Sequence, residues 1–172
     1  VILTISGSIT SLVILLIVIF LFKEGLGLFK SPSVEEGYVL CLHSSNHIDN
    51  LAPEQIKQIF DWEITDWSEV GSQNGEIMPF RFDEIFSIYP EEEFGDDYAL
   101  LPQKLGEVIR ENTNIIAFIP DKYIPSENNA VKVLPIDPIR MQDFFGGEEW
   151  LPTATPSPLF GVLPLILGTL LV

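Results

Sequence analysis

A chain of 172 residues that is 47% hydrophobic and yet carries a formal net charge of -16 has its two properties in different segments. The charge sits in the middle: residues 31–140 hold 21 Asp and Glu against 7 Lys and Arg, a net of -14. Such a segment repels nucleic acid and anionic headgroups, which excludes polyanion binding as its task, and the single cysteine, Cys41, excludes an internal disulfide framework.

In chain order, residues 1–22 contain no charge and as a helix would be about 33 Å long, enough for a hydrocarbon core of about 30 Å. The run continues into Lys23-Glu24-Gly25 without a small-residue cleavage site, so an uncleaved membrane anchor is expected rather than a signal peptide. The stretch from Leu159 to Val172 is apolar again, and it is expected to begin a second span of a longer polypeptide. Lys23 and Lys30 lie beside the first run and do not set its orientation alone.

Between the apolar ends, the pattern predicts a small α/β sheet covered by helices. Gly37 to His43 reads as a strand ended by Ser44-Ser45-Asn46. A helix follows from Pro53, with Ile56, Ile59 and Phe60 on one face and Asn50, rather than Ala52, expected as its cap. Trp62, Ile64, Trp67 and Val70 read as core anchors in an irregular stretch closed by Gly71 and Asn74-Gly75. Ile77 to Phe82 reads as a strand, and Glu91 to Asp97 as an exposed acidic loop. Leu101, Leu105, Val108 and Ile109 mark a second helix, and Ile115 to Ile119 and Val131 to Leu134 mark two more strands.

Few residues here carry chemistry. Cys41, His43, His47 and Asp49 are of metal-ligating type, but their spacing fits no standard zinc pattern, and the acidic loop lacks the alternating order of a calcium loop. No metal site is expected. Nothing in the residue pattern supports catalysis. Trp150 reads as a membrane-interface anchor. Gly161 and Gly168, seven apart, would share a face of a continuous helix and permit close helix packing, although Gly161 and Pro164 can equally mark the start of a span.

Two segments resemble one transport family. Phe22-Lys23-Glu24-Gly25-Leu26-Gly27-Leu28-Phe29 resembles the end of the first span of the phosphate transporter permease PstC. Asp143-Phe144-Phe145-Gly146, Trp150-Leu151-Pro152-Thr153 and the run from Phe160 to Val172 resemble that family's external loop and the start of its second span. The middle resembles a different component of the same system, the phosphate-binding protein PstS, in Leu51 to Phe60, in Ile64-Thr65-Asp66-Trp67, in Asn114 to Ile119 and in Val131 to Leu134.

The resemblance implies three parts: residues 1–30 as the first transmembrane helix, 31–140 as an inserted external domain, and 141–172 as a return loop and the start of a second transmembrane helix. The inserted fold would be one lobe of a periplasmic-binding-protein-like architecture, with a small mixed sheet. The whole would be part of a multi-pass cell-membrane permease subunit of an ABC-type phosphate importer. Its implied partners are a second permease subunit, an ATPase subunit that hydrolyses ATP, the substrate-binding protein and the lipid bilayer. Inorganic phosphate would be the transported substrate, with no cofactor and no nucleic acid. Arg81 corresponds to the arginine that in these binding proteins precedes Ser-Gly-Thr at a phosphate-gripping helix N-terminus. Here Phe82-Asp83-Glu84 follows instead, so Arg81 is the candidate phosphate ligand but a closing clamp is not expected. The insert is expected to dock or regulate the binding protein. The alternative is a membrane-anchored receptor that senses an anion such as phosphate through Arg81.

Overall fold

The structure is a computed structural model that describes residues 2–30, 32–73, 75–126, 130–135 and 137–171. The expected turn at Asn74, the boundary at Ser31 and the end residues Val1 and Val172 lie outside the described residues.

Helix α1, Ile2–Gly27, is built on the uncharged run that ends at Phe22 and continues for about a turn past Lys23 and Glu24, and from Leu12 to Phe22 its side chains are exposed. Among the described residues it is the one helix long and apolar enough to cross a membrane. Helix α6, Leu163–Leu170, is apolar and exposed as well, but only 8 residues long.

Period-two alternation sorts the central sheet into two faces. Strands β1 (Tyr38–His43), β2 (Met78–Arg81), β3 (Ile115–Pro120) and β4 (Val131–Val133) lie in the order β2-β3-β1-β4. β1 is antiparallel to both β3 and β4, with Leu40 opposite Phe118, while β2 and β3 are parallel, with Phe80 opposite Ala117. Leu40, Leu42, Ile116 and Phe118 pack on one side with Ile56, Ile59 and Phe60 of α2, Pro53–Phe60. Cys41, Phe80, Ile115, Ala117 and Ile119 pack on the other with Leu101, Leu105, Val108 and Ile109 of α4, Leu101–Glu111. β3 lies between, all six residues buried, which is why it reads as a continuous apolar run. The result is a mixed α/β fold of three layers. Each fully buried Ile or Leu contributes about 1.5–3 kcal/mol from removal of apolar surface from water.

Asn50 does not cap α2. Ala52 holds the N-cap, its N–H donating to Gln55 Oε1 at 2.9 Å, and Asn50 instead donates to Asp137 Oδ2 at 2.6 Å. The crossover from β2 to β3 runs through the short helix α3, Ile85–Ile88, the acidic segment and α4. That segment is exposed except for Phe94, which inserts into the α4 side of the core.

Residues beyond 140 fold back onto the lobe. The Ser157 hydroxyl donates to the Ser33 carbonyl, the Glu35 N–H donates to the Pro156 carbonyl at 2.9 Å, and Leu159 is buried. Helix α5, Met141–Gly146, and the antiparallel pair β5 (Trp150–Leu151) and β6 (Leu159–Phe160) complete this return segment.

Candidate functional site

In parallel α/β arrangements, ligands bind beyond the carboxyl ends of the strands, and Arg81 is the last residue of β2. It faces the α2 side, opposite Phe118 in the register. Its guanidinium carbon lies 5.2 Å from the Phe60 ring centroid, a cation–π contact, and a terminal nitrogen is 3.5 Å from the Thr155 carbonyl oxygen. Phe82 turns away and stacks on Tyr123 at 5.5 Å.

The turn that follows Arg81 carries carboxylates of its own. The Arg81 backbone N–H donates to Glu84 Oε1 at 2.9 Å, and Asp83 is exposed beside it. One cation already engaged with a ring, next to two carboxylates, attracts an anion weakly. Thr155 also lines a neighbouring cleft of about 310 Å³ with Pro32, Val34, Glu35, Glu36 and Phe160, whose charged lining residues are both acidic.

The metal-type side chains do not converge. Cys41 is buried on the α4 face, where desolvation pushes its thiol up to about 12. The His43 Nδ1 lies 2.7 Å from Ser45 Oγ, and His47 is exposed. Asp49 accepts from Lys132 Nζ at 2.6 Å, and that hydrogen bond, with the lysine's charge, holds its carboxyl below the ordinary value. Among the described residues, no three His, Cys, Asp or Glu side chains gather as a metal site. In the acidic segment, Glu93 pairs with Lys104 at 2.7 Å and Glu91 accepts from the Tyr98 hydroxyl at 2.6 Å.

Trp150 stands in β5, partly exposed, its ring 5.6 Å from Phe160 and 6.4 Å from Phe144. Phe144 in turn meets Phe29 edge-on at 5.2 Å. These four rings connect the foot of α1 to the start of α6. Gly161 does not share a helical face with Gly168, because α6 starts at Leu163 with Pro164 in its first turn. Gly161 instead lies against the Gly147 backbone, where a Cβ would overlap the Gly147 carbonyl group, while around Gly168 the space is open.

Trp62 is the departure that pattern reading misses. Trp67 is a core residue, 2% exposed, with its indole N–H donating to the Asn114 carbonyl at 3.2 Å. Trp62 is 63% exposed and adopts φ +64°. The signal was its position: continued from Ile56, Ile59 and Phe60, the apolar stripe of α2 would next take residue 63, not 62.

No family model matches the chain, and no curated protein matches it. Among solved structures it is similar to a phosphate ABC transporter substrate-binding protein with bound phosphate from Clostridium perfringens, at 20% identity and a TM-score of 0.41 over 60% of this chain and 46% of that one. It is similar to an ABC-type phosphate transport receptor from Vibrio cholerae at 20% identity and 0.43, over 66% and 52%. PstS from Borrelia burgdorferi is similar at 14% identity and 0.42, over 60% and 48%. The chain spans about half the length of each of these structures.

Proposed function

We propose that the chain is part of the membrane permease subunit of an ABC-type phosphate importer, its acidic lobe projecting outside the cell membrane to dock or regulate the substrate-binding protein. The observation that carries this reading is the junction. The Phe29–Phe144 and Trp150–Phe160 contacts bring the end of α1 and the start of α6 to one aromatic cluster under the lobe. An insertion between two consecutive spans requires its two ends to meet, and aromatic rings of this kind favour the membrane–water interface. The segments around Phe22 to Phe29 and Asp143 to Val172, which resemble PstC, supply the transporter class.

In this reading the lobe does not clamp phosphate, since the turn after Arg81 carries two carboxylates, Asp83 and Glu84, that repel an anion. The chain has no catalytic role, and ATP is hydrolysed by a separate subunit. Because the Ser33 N–H donates to the Asp137 carbonyl at 3.1 Å, residues 34–136 can be replaced by a short Gly-Ser linker that spares Phe144 and Trp150 and does not separate the apolar ends. In proteoliposomes with the partner subunits, that deletion is expected to leave membrane insertion intact while weakening binding-protein affinity and phosphate uptake about 10-fold or more. Unchanged affinity and uptake would overturn the proposal. Calorimetry of the full chain with inorganic phosphate is expected to give no saturable heat. Binding that disappears in Arg81→Ala would establish the anion receptor instead.

A further inference from the structure

The indole of Trp62 stands where packing holds it only in part and backbone geometry disfavours it. It occupies the residue after the C-cap of α2, the place where a helix customarily ends on a left-handed glycine, and a bulky side chain at φ +64° is rare. The turn does not depend on the ring: the Trp62 N–H donates to the Ile59 carbonyl at 3.2 Å, and the Glu63 and Ile64 N–H groups reach the Gln58 carbonyl at 2.8 and 3.1 Å. Glycine would make the same hydrogen bonds. Instead the exposed ring lines a cleft of about 400 Å³, together with Glu76 and Met78 before and at the start of β2, Glu111 at the end of α4, and Asn112 and Asn114 between α4 and β3.

We propose that this cleft receives an arginine side chain of a partner protein, the guanidinium stacking on Trp62 while Glu76 or Glu111 accepts its N–H groups. Three observations select that chemistry. Among the described residues the lining holds two carboxylates and no Lys or Arg, which rejects anions and favours a cation. The flat, weakly hydrated guanidinium gains from an indole face and from a carboxylate fork at once, which an ammonium does not. A net charge of -16 steers basic surfaces toward the lobe from a distance. The cleft lies at the amino end of β2, whereas Arg81 is at its carboxyl end, so this surface is separate from the candidate anion position. The inference goes beyond the import reading, and its test does not use phosphate.

The test is calorimetry on the full chain in detergent micelles, with a short Gly/Ser peptide carrying one arginine and twins carrying citrulline or lysine in its place. The arginine peptide is expected to bind saturably with Kd on the order of 1 mM or tighter. The citrulline twin should bind about 10-fold more weakly or not at all, and the lysine twin should fall between them. Trp62→Gly and the double variant Glu76→Gln/Glu111→Gln should each weaken arginine binding about 10-fold. Glu92→Gln/Asp96→Asn, which removes the same charge elsewhere, should leave it within about two-fold. The proposal is overturned if citrulline binds as well as arginine, if no peptide binds saturably, or if all charge removals weaken binding alike. Loss of import in the lobe deletion would not rescue it, and its failure would leave the import reading standing.

Discussion

The two tryptophans that flank the Ile64-Thr65 turn should respond to truncation in the same direction but to very different degrees. In Trp62→Gly, the 63% exposure means that a little over a third of the ring's surface is removed from water. For a residue that buries about 150–250 Å² when fully enclosed, this is roughly 2 kcal/mol at about 25 cal/mol per Å². Relief of the left-handed backbone returns about 1–2 kcal/mol, and the greater freedom of glycine in the unfolded chain costs about 0.4–1 kcal/mol. The net cost is about 1 kcal/mol. Trp67→Ala has no such offset: the ring is 2% exposed and its N–H bond to Asn114 is lost, so about 3–5 kcal/mol is expected. For a lobe of this size the first change lowers Tm by about 4 °C and the second by more than about 10 °C. Thermal unfolding of the full chain in detergent, followed by near-UV circular dichroism, measures both. A Trp62→Gly variant as unstable as Trp67→Ala would show the ring to be packed into the core and would refute the reasoning.

Gly161→Ala places a Cβ into the Gly147 carbonyl group and should loosen the β5–β6 pair by about 1–3 kcal/mol, whereas Gly168→Ala meets open space and should be silent. Amide exchange across Trp150 to Phe160 distinguishes them, and equal protection in the two variants would contradict the close approach. Hydrogen bonds from Ser68, and then from the Gly75 N–H, hold the Asp66 carboxyl below its ordinary value of 3.8. Because the folded value is depressed, its contribution is present above that pH and is lost as pH falls through the folded value. The stability gap between the native chain and Asp66→Asn, read by urea unfolding, should therefore close as pH drops below about 4, and a gap independent of pH would contradict the assignment.

What could be read in the sequence is what local periodicity encodes. Ile56, Ile59 and Phe60 mark α2 by spacing alone, as Leu101, Leu105, Val108 and Ile109 mark α4, and the unbroken Ile115 to Ile119 marks a strand buried on both faces. Distance along the chain hides the remainder. Ser157 lies in a Pro-, Ser- and Thr-rich stretch, and its buried hydroxyl finds its acceptor in Ser33, more than a hundred residues earlier. Gly161 and Gly168 have helical spacing, but Pro164 starts the helix after the first of them. Arg81 is legible as a cation at a strand end. Its engagement with Phe60 and Thr155 is not, because neither neighbour is adjacent in sequence.

The sheet's outer strands have a consequence for how copies of this chain meet one another. β2 has four residues, with Pro79 lacking a donor, and β4 has three. An edge so short, and interrupted on one side by proline, offers a neighbouring copy too few backbone groups to extend the sheet. Copies at high local concentration can therefore remain separate, which leaves recognition to side chains instead of backbone zippering.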